Sequence, residues 1–270
     1  MKRLAIMIVV TAILGLGLLG CGQNANSAGT VAKASRPAAS SQAVWPRKDL
    51  PPVPVGKSVI PAPRDGKWLA VHESFVRRAA RNADADVVFL GDSITAEFNV
   101  HSCAPDGQPF KAVNLGIAGD HTENVLWRVQ NGELEGSKAK VIVLLIGTNN
   151  LGNNYGVDDA VAGIGEINKA IQVRCPTAKI LLMGIFPRWN DVEFRQKIKQ
   201  ANARMAKYAD GQAVRFLDIG EKFLEPDGTL SVEVARDLTH LTRRGNQIWR
   251  DNMCPTLYEM LGIKPTQASN

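Results

Sequence analysis

Val87, Val88, Phe89, Leu90, Gly91, Asp92, Ser93, Ile94 and Thr95 form the stretch whose reading decides the fold. Four apolar residues, two of them β-branched, stop at a glycine and a small polar pair before an apolar-periodic segment resumes. That pattern predicts a buried strand handing over to a helix. Ser93 then sits at the carboxyl end of a strand. In open α/β sheets ligands bind outside those ends, and a helix start beside one offers free backbone N–H groups to an anion. Ser93 is therefore a candidate nucleophile. The residues around it are not a Gly-x-Ser-x-Gly elbow, because Thr95 stands where the second glycine belongs. Asp and Ser beside Gly are also ordinary turn and N-cap residues, so the tripeptide acquires meaning only from what the rest of the chain supplies.

Working outward, Trp68, Val71, Phe75, Val76 and Ala79 recur at helical spacing ahead of the strand. Beyond it, strands are expected at 110–115, 141–146, 180–184 and 214–218, and helices at 122–134, 157–173, 192–209 and 245–261, the last with a kink at Pro255. The run 141–146 is continuously apolar and reads as a central strand covered on both faces. Strands alternating with helices imply right-handed crossovers and a parallel sheet. The expected fold is α/β: a three-layer sandwich with a flavodoxin-like parallel sheet and helices on both faces.

Three of these strands end in clusters of the same kind: Gly91 to Ser93, then Asn114, Gly116, Gly119 and Asp120, then Gly147, Thr148, Asn149 and Asn150. In a parallel sheet the carboxyl ends share one edge, so clusters distant in sequence converge in space. Cleaving an ester needs an activated nucleophile and donors aimed at the developing oxyanion. Backbone N–H groups and a side-chain amide could supply the donors. The base must be one of four histidines, His72, His101, His121 and His240. Only His240 has a carboxylate, Asp237, at a spacing that lets it hold the imidazole in a turn and fix its tautomer. His72, His101 and Trp127 read as surface or packing residues, and Asp92 and Asp120 as helix caps or rim residues.

This set of blocks resembles the GDSL or SGNH hydrolase family, and within it the branch of the platelet-activating-factor acetylhydrolase Ib catalytic subunits. The resemblance runs from about Asp65 to Leu261 and is densest through Asn114 to Asp120, Val125 to Arg128, Asn131 to Leu134 and Gly147 to Asn150, with Pro187 and Arg188 after the fourth strand. Carried over residue by residue, it implies Ser93 as nucleophile, Asp237 and His240 as its triad partners, and Ser93, Gly119 and Asn149 as the oxyanion hole. Asp92, Asp120, His121 and Asn150 are the expected substrate rim. His121 stands where that branch carries a small hydroxyl residue, and 99–108 matches poorly. The implied enzyme is a serine esterase needing no metal and no cofactor, acting on short acyl esters such as acetylated glycans. A lysophospholipase, an arylesterase, an acyltransferase and a non-catalytic binding lipoprotein are the alternatives.

At the other end of the chain, Lys2 and Arg3 precede an apolar run that closes on Leu18, Leu19, Gly20 and Cys21. A basic n-region and a short apolar core read as an export signal rather than a spanning helix. The ending resembles a bacterial lipobox. Residues 1–20 are then the signal, Cys21 the lipidated residue, 21–63 a disordered Pro/Ala/Ser-rich tether, 64–262 the folded domain and 263–270 a tail. Gly22 after the cysteine resembles lipoproteins sent to the outer membrane, so the expected location is the cell envelope, with the membrane as partner through the lipid. The formal charge is +6, of which Lys2 and Arg3 contribute part, and acidic and basic residues are interspersed; this argues for solubility rather than nucleic-acid binding. Cys103, Cys175 and Cys254 allow one disulfide and one buried thiol, and their spacing does not choose the pair.

Overall fold

The computed structural model describes residues 54–103 and 110–264. The expected signal, Cys21, most of the tether and the end of the tail lie outside the described residues. Five parallel strands form one sheet in the order β2-β1-β3-β4-β5: β1 (Val87–Gly91), β2 (Ala112–Gly116), β3 (Val141–Leu145), β4 (Lys179–Met183) and β5 (Val214–Leu217). This is the flavodoxin-like order, and its switch point lies between β1 and β3. The helices are α1 (Lys67–Arg81), α2 (Ser93–Ala96), α3 (Thr122–Gln130), α4 (Thr148–Gly152), α5 (Val157–Arg174), α6 (Val192–Met205) and α7 (Arg243–Leu261). α7 runs through Pro255.

Alternation along the strands builds the three layers. Val88, Leu90, Ile142 and Leu144 face a cluster shared with Val125 and Val129 of α3, Ile164 and Ile167 of α5 and Ile198 of α6. Val87, Phe89, Val141, Val143 and Leu145 face the opposite cluster, with Ile94 of α2 and Trp249 and Met253 of α7. β1 and β3 are buried along their whole length. Each such Val, Leu or Phe contributes roughly 1.5–3 kcal/mol of burial, which is why these two runs were the strongest signals in the sequence.

The register aligns Gly91 of β1 with Gly116 of β2 and Leu145 of β3, so the three strands end level. A Cβ on Gly116 would lie 2.4 Å from the backbone nitrogen of Ala96. Only glycine there lets α2, and with it Ser93, press against the end of β2.

Two features depart from or complete the sequence reading. The stretch up to residue 63, expected as tether, is part of the folded unit from Gly56 onward: Ser58 is fully buried, its hydroxyl donates to Asp159 at 2.7 Å, and Ala62 is held by Asn124 and Glu123. Polar anchoring by Asp159 replaces the apolar burial that the stretch lacks. Cys103 pairs with Cys254, tying the 3-10 turn Val100–Cys103 to α7, and Cys175 is the buried free thiol. With a sequence separation of 151, the chain-entropy account gives the link about 5 kcal/mol. Among the described residues no helix is long and apolar enough to cross a membrane.

Candidate active site

Asp92 follows β1 and caps α2, its carboxylate accepting from the Ile94 N–H at 3.0 Å. Ser93 is thereby the first residue of α2, with its hydroxyl at the switch point. Its Oγ lies 2.9 Å from His240 Nε2, and His240 Nδ1 lies 2.7 Å from Asp237 Oδ2. The other Asp237 oxygen accepts from the backbone N–H of His240 at 2.7 Å and of Thr239 at 3.1 Å. A carboxylate on Nδ1 places the ring proton there, leaving Nε2 free to accept from the serine hydroxyl. Partial burial works to raise the Asp237 carboxyl, but the His240 backbone N–H and ring outweigh it and hold the group below the ordinary range. The turn that presents both residues contains Leu238 at φ +57°, a left-handed conformation unfavourable for a branched side chain. Its carbonyl is fixed by the Trp189 N–H at 2.8 Å.

The ends of β2 and β3 supply the facing wall. Gly119 adopts φ +78°, which glycine reaches without cost. Asn149, half-buried at the start of α4, donates one amide N–H to the Asp120 carbonyl at 3.0 Å. That contact sets its amide against the Gly119 turn and leaves the second N–H available. The Ser93 and Gly119 N–H groups donate to no carbonyl among the turn and loop bonds of the described residues.

Residues 89–248 match the GDSL-like Lipase/Acylhydrolase family. The chain belongs to this family. It is 36% identical over 186 residues to the platelet-activating factor acetylhydrolase IB subunit alpha1 of Homo sapiens, covering 67% of this chain and 78% of that one. It is also 36% identical over 203 residues to the alpha2 subunit of Rattus norvegicus, covering 73% and 84%. A catalytic mutant of an acetylxylan esterase from Geobacillus stearothermophilus shares the fold, with a TM-score of 0.54 at 17% identity over 68% of this chain and 97% of that one. This GDSL acylhydrolase is an ester hydrolase, as its family and its relatives' names state.

Three of the four residues expected at the rim of this GDSL acylhydrolase lie beneath the site. Asp120 is fully buried: it accepts from Trp68 Nε1 at 2.7 Å, and its second oxygen is 2.9 Å from Arg128 Nε. The Arg128 guanidinium also reaches Glu133, the Leu115 carbonyl of β2 at 2.8 Å and the Gly91 carbonyl of β1 at 3.1 Å. Burial opposes its charge, but Glu133 and Asp120 raise its affinity for the proton. One cation thus clamps two strand ends and the Gly119 turn. Asn150 is buried and ties Thr122 and Ser58 together. Asp92 is buried as well, a cap rather than a rim residue. His121, the fourth, is half-buried, stacked on Tyr155 with ring centroids 5.3 Å apart, and lies 2.9 Å from Asn153 Nδ2. Burial lowers its affinity for a proton below that of an ordinary imidazole. His72 packs between Trp68 and Trp127, and His101 is exposed.

Arg188, in the sequence only part of a matching block, takes its role from its place in the fold. Buried under the site, it donates to Thr239 Oγ1 at 2.9 Å and to the Thr148 carbonyl at 3.2 Å, joining the β3 end to the His240 turn. Burial pushes it down to about 10, against the pull of Asp92 and Asp237. Burial likewise pushes Asp92 up to about 7, outweighing the Ile94 N–H and Arg188. A carboxyl raised on folding stabilises the protein below its unfolded pKa of about 3.8, and that contribution is lost as pH rises through about 7. Asp92→Asn keeps the capping oxygen without the charge. Denaturant midpoints at pH 5 and pH 8 are therefore expected to converge in the variant relative to wild type, and an undiminished gap would show that Asp92 does not titrate in this window.

Proposed function

We propose that this hydrolase removes short acyl groups, chiefly acetyl, from glycans through an acyl-enzyme on Ser93. The observation that carries the reading is the unbroken chain Ser93–His240–Asp237 at 2.9 and 2.7 Å beside the Gly119 turn and the Asn149 amide. Ser93 Oγ attacks the ester carbonyl as its proton passes to His240 Nε2. The negative oxygen of the tetrahedral intermediate is received by the Ser93 and Gly119 N–H groups and the free Asn149 N–H. His240 then gives its proton to the departing alcohol. Water, activated by the same nitrogen, releases the acid and restores the serine. The names of the relatives support the acetyl group, and the name of one structural neighbour supports a glycan carrier.

A panel of p-nitrophenyl esters tests the acyl preference. kcat/KM is expected to be highest for acetate and to fall with chain length, and acetylated xylan should release acetate. Rates that climb toward long chains would replace this reading with a lipase. Asn149→Ala is expected to lower kcat by about 10²–10³ with little change in KM, the usual loss for one oxyanion donor. A defect confined to KM would make Asn149 a substrate-binding residue instead.

The proposal includes an exported lipoprotein held in the envelope through Cys21, supported by the basic start, the apolar run and the Leu-Leu-Gly-Cys ending. Cys21→Ser is expected to move the protein from the membrane fraction to the soluble one, because anchoring depends on the acyl chains. Unchanged fractionation would remove the anchor.

A further inference from the structure

A cleft of about 430 Å³ opens between α7 and the segment that follows α2. Phe98 forms its floor, held by Trp249 at a ring-centroid distance of 4.1 Å. Asn99 and Ser102 line one wall; Arg243, Asn246, Gln247 and Arg250 line the other. The two walls are joined covalently by the Cys103–Cys254 disulfide, one residue beyond Ser102 and four beyond Arg250, and Tyr258 donates from α7 to the Cys103 carbonyl. The cleft is thus preformed, and its volume suits a small ligand.

Its walls continue the two segments that carry Ser93 and His240. Glu97, on its edge, lies one helical turn from the nucleophile, its N–H donating to the Ser93 carbonyl at 3.1 Å. Arg243 follows His240 by three residues. A substrate whose ester sits at Ser93 can therefore place its leaving group in this cleft.

The lining specifies the chemistry of that group. Glu97 is engaged by Arg236 at 2.7 and 2.9 Å, so its charge is spent on the turn that carries Asp237. Arg250 shares its charge with Asp251 at 2.6 Å. Arg243 forms no ion pair among the described residues. Asn246 Oδ1 is buried without a hydrogen-bond partner. The cleft therefore offers guanidinium groups suited to a carboxylate, together with amide and hydroxyl groups suited to sugar hydroxyls. A single aromatic floor provides no channel for an acyl tail.

We propose that the cleft is a leaving-group subsite for a carboxylate-bearing saccharide, so that the preferred substrates are acetyl esters of acidic glycans. The assignment rests on the glycan-ester reading above and narrows it. The test compares mono-O-acetylated methyl glucuronoside with the matching methyl glucoside, with p-nitrophenyl acetate as a sugar-free reference. In wild type the kcat/KM ratio of acidic to neutral sugar ester is expected to be tenfold or more, arising in KM and shrinking with added salt. In the Arg243→Ala/Arg250→Ala variant the ratio should fall to within twofold of unity. Arg243→Lys should give an intermediate ratio, since it keeps the charge and loses the fork. A wild-type ratio near one, or a high ratio that survives in the double variant, overturns the subsite.

If none of the three esters is hydrolysed, the glycan-ester reading fails, and the cleft is judged separately by calorimetry with methyl glucuronoside. Binding by wild type that is lost in the double variant sustains an acidic-sugar site. No binding by wild type, or tighter binding of glycerol 3-phosphate, overturns it.

Discussion

Ser93→Ala is expected to lose about 10⁶ in kcat and all covalent labelling by a fluorophosphonate. The magnitude follows from the way a nucleophile and its base act as a unit, where removing either costs nearly as much as removing the whole set. It corresponds to about 8 kcal/mol of transition-state stabilisation. A residual rate of about 10³ over water should survive, because the Gly119 turn and Asn149 remain to receive charge. The substitution removes one hydroxyl that contacts His240, itself partly open to solvent, so the fold should be unaffected and circular dichroism should superpose on wild type. Mass spectrometry of the labelled wild type should place the adduct on Ser93. An adduct on another serine, or labelling that persists in the variant, would overturn the nucleophile.

The sheet was legible because its signals are local. β1 and β3 are fully buried and apolar throughout, and three glycine-rich strand ends point to one edge. Boundaries moved where a local breaker was overlooked. The helix expected to reach residue 134 ends at Gln130, where Asn131 and Gly132, the latter at φ +98°, turn the chain. The strand expected from 110 begins at Ala112. The positions of Ser93, Asp237 and His240 were readable from a motif and a three-residue spacing.

What surrounds them was not readable, because burying a polar side chain depends on partners far along the chain. Asp120 is interior only because Arg128, Trp68 and Arg64 converge on it, and Asn150 only because Ser58 and Thr122 do. A carboxylate after a strand looks the same in sequence whether it faces substrate or an arginine. The disulfide pair is set by the packing of the Val100–Cys103 turn on α7, and cysteine spacing carries no trace of that.

The choice of base gives the sharpest contrast between two histidines. His240→Gln is expected to cost about 10⁴ or more in kcat, because glutamine cannot take the Ser93 proton and return it to the leaving alcohol. His121→Gln should change kcat by less than about tenfold and act on KM or acyl preference, since its ring is occupied by Tyr155 and Asn153 rather than by the Ser93 hydroxyl. The surroundings separate them further: the His240 backbone N–H and ring hold the Asp237 carboxyl below the ordinary range against the opposing burial, whereas burial lowers the proton affinity of His121. Asp237→Asn should lose about 10⁴ as well, because an amide N–H facing Nδ1 drives the ring to the tautomer protonated on Nε2, which cannot accept from serine. If His121→Gln is the inactive variant and His240→Gln keeps the wild-type rate, the hydrogen-bonded chain from Ser93 to Asp237 is not the catalytic one.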